Sequence, residues 1–98
     1  MKHHVLKCWP EFFDAIADGR KTFELRRDDR GFEVGDVLEL RWWNPETESY
    51  YDGDSSDENT LYARVSYVLR DAPNFGLAPG FAILSFEIVD DPVFEVGR

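Results

Sequence analysis

The sequence predicts a single α+β, mainly β, domain over residues 1–98: five short strands curled into a closed or nearly closed barrel, with one helix near the start plugging an end. Three observations predict it. Several short segments alternate apolar and polar residues with the period of a half-buried strand. Turn-forming residues separate those segments, the pattern of a small all-β closure. One stretch alone, just after Pro10, carries apolar residues at helical spacing.

The first strand is read over His4–Trp9, with Val5, Leu6 and Cys8 as its apolar members. Pro10 suits the first turn of a helix, and Glu11 is favourable beside the positive helix end. Phe12, Phe13, Ile16 and Ala17 then recur on one side, and Gly19 is the expected C-terminal stop. Thr22–Arg26 alternates as a second strand, with Phe23 and Leu25 expected inward and Glu24 and Arg26 outward. "DDRGFEVGD" is turn-rich, with Gly31 and Gly35 supplying the unusual backbone angles that lead into a third strand, Val37–Trp43. Residues 44–60 read as a long, acidic hairpin connection, mobile at "DGDSSDEN". Leu61–Leu69 is the fourth strand, with Leu61, Ala63, Val65, Tyr67 and Leu69 on one face. Phe81–Val89 is the fifth, apolar enough to be buried on both faces, and residues 90–98 form a tail. The expected core is Phe12, Ile16, Phe23, Leu25, Leu38, Leu40, Val65, Tyr67, Ile83 and Leu84.

A chain of 98 residues with 43% apolar composition is enough for one hydrophobic core without metal or disulfide. Its one cysteine, Cys8, excludes an internal disulfide and fits a reducing cytoplasm. No apolar run approaches a membrane span of about 18 residues. The start of the chain lacks a signal-like apolar stretch, so neither membrane nor export is expected. Net charge is −9 and uneven: residues 1–43 hold eight Lys/Arg against nine Asp/Glu, whereas residues 44–98 hold three against eleven. Such a body repels duplex phosphate at long range, so sequence-blind nucleic-acid affinity should be poor.

Against that background "DGRKTFELRRDDRGFEVGD" concentrates five cations: Arg20, Lys21, Arg26, Arg27 and Arg30. Lys21, Glu24 and Arg26 suit an anion- or base-binding cleft, since Arg offers a planar fork, Glu accepts from base amino groups and Lys supplies a point charge. The competing reading is an ordinary Glu–Arg pair on the solvent face of a strand. Arg27 and Arg30 fall where the chain turns out of the sheet and extend the cationic lip. Trp9 and Trp43 are the stacking candidates, with core packing as the alternative. His3, His4 and Cys8 make a poor metal set without a fourth ligand or paired-cysteine motif, so no metal and no cofactor are expected.

"GRKTFELRRDDRGFEVGDVLEL" resembles the helix-to-strand signature of ASCH domains in the PUA-like superfamily, with Gly19, Lys21, Glu24, Arg26, Gly35 and Asp36 at its marked positions. "LKCWPEFFDAIADG", "VSYVL" and "GLAPGFAILSFE" extend the likeness from His4 to Ile88, toward a small bacterial and phage branch. The resemblance implies a PUA-like five-stranded pseudobarrel with one N-terminal helix. It also implies a cleft beside that helix and the second strand, and a role with RNA or nucleotides. Some small ASCH proteins are amidohydrolases acting on N4-acetylcytidine, and their pattern is a Lys followed three residues later by a Thr nucleophile. Here Lys21 matches, but Glu24 stands in the Thr position, and a carboxylate does not replace that hydroxyl in acyl transfer. The catalytic residues are left unknown, with Lys21 and Glu24 as candidates, and the chain leans away from enzyme activity. Three classes stand: an RNA- or nucleotide-binding module, a hydrolase of a modified nucleoside, and an acidic protein-interaction adaptor.

Overall fold

A computed structural model describes residues 1–50 and 59–90. Among these residues six strands and one α-helix follow in order: β1 (His3–Cys8), α1 (Pro10–Ala17), β2 (Phe23–Arg27), β3 (Val37–Asn44), β4 (Ser49–Tyr50), β5 (Thr60–Leu69) and β6 (Phe81–Val89). They make one sheet in the order β1-β3-β5-β6-β2, with β4 paired to β3. The mainly β, one-helix class is as expected from the sequence. The strand count is corrected from five to six, because Ser49 and Tyr50 pair back onto Asn44 and Trp43 inside the stretch read as loop. The reading of mobility at 52–59 and of a tail at 90–98 falls almost wholly outside the described residues.

Helix α1 starts at Pro10, whose missing N–H costs nothing in the first turn. It stops at Asp18, and Gly19 takes the left-handed φ of 84° while the amides of Arg20 and Lys21 fold back onto Ala15 O. Phe13 and Ile16 face the core; Phe12 is left 44% exposed, against expectation, because an eight-residue helix buries only a narrow stripe. The core beneath gathers Leu6, Cys8, Phe32, Leu38, Leu40, Ala63, Val65, Ala82, Leu84 and Phe86. At its end Asp36, wholly buried, accepts from His4 Nε2 at 2.9 Å and from the amides of Lys2 and Glu33. Burial pushes its carboxyl pKa up, but these hydrogen bonds outweigh it and the net direction is down.

Three strand faces differ from the sequence reading, each for a definable reason. In β2 the register sets Glu24 opposite Leu84 on the core side, so Phe23 and Leu25 point outward at 43% and 56% exposure. A buried carboxylate is tolerated there because two cations satisfy it, which frees the apolar residues to take the other side. In β5 a register shift between Val65 and Tyr67 inserts one extra residue. The bulge inverts the parity, so Val68 packs on the core and Tyr67 is 60% exposed. In β6, Ala82, Leu84 and Phe86 are buried while Ile83 and its neighbours on the other side are half-covered, so burial is one-sided rather than two-sided. Val5 likewise lies on the open side of β1.

Candidate ligand cleft between two strand edges

The strand order leaves β1 and β2 as the two edges of the sheet. The edges face each other, and side chains bridge them. Arg26 Nη1 donates to Lys7 O at 2.9 Å, and Arg30 Nη1 donates to Val5 O at 2.9 Å. Both acceptors lie on the side of β1 away from β3, so the guanidiniums satisfy carbonyls that a neighbouring strand would otherwise meet. On β2, Phe86 N bonds Thr22 O and Asp28 N bonds Gly80 O. Alternation between these fixed ends turns the main-chain groups of Phe23, Leu25 and Arg27 toward the gap.

A cleft of about 610 Å³ opens along this gap, beside the start of α1. Its polar lining is Lys7, Lys21, Glu24, Arg26 and Arg27, and its apolar lining comes chiefly from Trp9, Phe12, Phe23, Leu25, Trp43 and Phe81, with Cys8 at the inner wall. Glu24 sits at the centre of a three-residue charge cluster. Lys21 Nζ lies 2.8 Å from Glu24 Oε1, and Arg26 Nη1 lies 3.2 Å from Glu24 Oε2. Lys21 also bonds the Phe23 carbonyl and stands 4.7 Å from the centre of the Phe23 ring. The Cys8 thiol beside this cluster is pushed up to about 12, first by burial and then by the Glu24 carboxylate, against smaller opposing effects of Lys21 and Arg26.

The geometry sorts the sequence candidates into two groups. Lys21, Glu24, Arg26, Arg27, Trp9 and Trp43 do meet in one cleft; Arg30 does not line it. Arg26 and Arg30 are not a free cationic lip, because each is spent on a β1 carbonyl. Among the described residues, the lining cations left with open polar heads are Arg27, which rests on the Phe81 ring at 5.3 Å, and Lys7, which rests on the Trp43 ring at 4.0 Å. Trp43 is therefore covered by Lys7 and met edge-on by Tyr50, whereas Trp9 is 47% exposed and, among the described residues, stacks on Phe12 alone. Trp9 is the ring with a face to offer.

Sequence reasoning missed Lys7, Phe12, Phe81 and Cys8 as cleft residues. The signal was faint: Lys7 and Cys8 precede Trp9 directly, but nothing local says that β1 will face β2. It also missed the carboxylate partners of the two histidines, Asp36 for His4 and Glu39 for His3 at 2.8 Å. Among the described residues no three His, Cys, Asp or Glu side chains gather as a metal site, and no helix is long and apolar enough to cross a membrane.

A family model described as "Domain of unknown function (DUF3850)" matches residues 3–86, from the first residue of β1 to the end of the β6 core stretch. The chain belongs to the DUF3850 family. The match takes in both strand edges, α1 and every residue lining the cleft. An "Uncharacterized 12.9 kDa protein in GpA 3'region" of Escherichia phage P2 is 40% identical over 42 residues. That stretch is 43% of this chain and spans only 38% of the phage protein's length.

Proposed function

We propose that this DUF3850 chain is an RNA- or nucleotide-binding module, working in the cytoplasm of a bacterium or in phage infection, and that the cleft between β1 and β2 is its site. On this reading the fold is the PUA-like pseudobarrel of ASCH domains, its seam closed by Arg26 and Arg30 and its hairpin connection extended by β4. The observation that carries the functional reading is the pairing of an open indole face, Trp9, with two cations whose heads are uncommitted, Lys7 and Arg27, around one cleft. Aromatic faces stack on bases at about 1–3 kcal/mol each, and cations hold phosphate. The volume lies within the roughly 300–1,000 Å³ of small-molecule sites.

Fluorescence anisotropy with labelled single-stranded RNA, DNA and nucleotides across a salt series tests this. Weak, salt-sensitive binding is expected, with a log–log slope of about −1 to −2. Absence of binding to every probe at low salt sinks the proposal and promotes a protein adaptor that works through the acidic second half.

A hydrolase is the second reading, kept by one observation: Lys21 and Glu24 stand 2.8 Å apart in the cleft. Glu24 is held between two cations and the Cys8 thiol is far from ionised at neutral pH, so neither is an activated nucleophile. Incubation with N4-acetylcytidine should release no cytidine. Turnover that disappears in Lys21→Ala would install the hydrolase instead.

A further inference from the structure

We infer that the cleft's ligand is a mononucleotide, a nucleoside mono- or diphosphate, and not a strand of RNA; this rests on the nucleotide-binding reading above. The cleft lining holds four cations, Lys7, Lys21, Arg26 and Arg27, against the single carboxylate of Glu24, a balance of +3. The described residues together hold ten Lys/Arg against fourteen Asp/Glu, so those outside the cleft carry −7. A polyanion that extends beyond the cleft leaves a positive pocket for a negative surface, and each added phosphate is repelled rather than gripped. A ligand with one or two phosphates stays within the favourable field.

The internal pairing of the cluster narrows the ligand further. Lys21 and Arg26 are each tied to Glu24, and Arg26 to Lys7 O as well. Of the four lining cations only Lys7 and Arg27 have, among the described residues, heads directed by nothing stronger than an aromatic face. Two such groups match one phosphate ester, not a backbone track of the kind that strand-binding grooves carry. Trp9 supplies a stacking face for one base. A buried carboxylate in the lining, Glu24, biases the pocket toward bases that present an amino group.

The test is isothermal titration calorimetry at low salt with cytidine, CMP, CDP, AMP and unmodified oligocytidylates of increasing length. CMP should bind about tenfold or more tightly than cytidine, as charge-assisted bonds to one phosphate require. Affinity per molecule should stay flat or fall as the oligonucleotide lengthens, with an unchanged salt slope. Lys7→Ala and Arg27→Ala should each reduce CMP affinity several-fold while leaving cytidine binding alone, and thermal unfolding should show both variants folded. Arg20→Ala, whose side chain is paired with Asp18 outside the cleft, should change nothing. Affinity that climbs with length on a steepening salt slope overturns the mononucleotide inference and leaves the nucleic-acid reading standing. Equal binding of cytidine and CMP also overturns it. No binding of any probe removes the nucleotide-binding reading itself.

Discussion

Arg26 of β2 donates to the main-chain oxygen of Lys7 on β1, so a guanidinium stands where a backbone ladder would join the two edges of the sheet. The same guanidinium bonds Glu24, whose carboxylate is buried on the core face. Arg26 is thus a structural cation and its neighbour Arg27 an available one. Arg26→Ala should cost about 1–3 kcal/mol, the range for losing hydrogen bonds to a charged group. Arg27→Ala should stay within about 1 kcal/mol, having only a cation–π contact to lose. Urea denaturation of the two single variants separates them, and equal losses would show that the seam does not depend on Arg26.

Glu24→Ala should destabilise by about 3 kcal/mol, at the low end for breaking a buried ion pair because Lys21 and Arg26 keep some solvent access. Glu24→Gln, which keeps one acceptor oxygen but turns an amide donor toward the other cation, should recover less than half of that loss. A Gln variant nearly as stable as the unsubstituted chain would mean that hydrogen bonding, and not charge, holds the cluster.

Phe23→Ala should cost under about 1.5 kcal/mol, since the ring is nearly half exposed and leaves no closed cavity. Ile16→Ala, at 1% exposure beneath α1, should cost about 2–5 kcal/mol. The order of the two denaturation midpoints reports which face of β2 looks inward, and a reversed order would put Phe23 back in the core.

Asp36 titrates below the usual carboxylate range in the folded chain. A lowered folded pKa gives stability that is complete above the unfolded value of about 3.9 and is lost as pH falls through the folded value. Asp36→Asn should therefore be about 1–3 kcal/mol less stable at neutral pH, and its stability should fall less steeply in acid. Some slope will persist, because Asp28 beside Arg70 and Glu39 beside His3 and Arg41 are lowered too. Parallel stability–pH curves for the two proteins would contradict this.

Cys8 is 2% exposed, and its thiol is pushed to about 12. Iodoacetamide at pH 8 should label it only at the rate of unfolding, with fast labelling in denaturant. Rapid labelling of the native chain would mean that the inner wall of the cleft opens.

The sequence alone carries the class of fold and most of its elements. Pro10 and Gly19 bracket α1 because one residue lacks an amide donor and the other tolerates a left-handed turn, and both effects are local. The starts of β3 and β6 are legible for the same reason, with Gly35 and Gly80 in left-handed turns just before them. It also singled out the cationic stretch from which Lys21, Glu24, Arg26 and Arg27 enter the cleft.

Which way the side chains of β2 face is settled by long-range pairing, since alternation gives a period but not a phase. Phase is set by register, here Glu24 against Leu84, and by whether an inward charge finds partners. The bulge after Val65 is invisible for a related reason: one extra residue is a property of two paired strands, not of either sequence. The division of the arginines is likewise non-local. Nothing in "ELRRDDR" distinguishes the guanidinium that will reach a carbonyl nineteen positions back from the one beside it that stays open, because that choice belongs to the distance between β1 and β2.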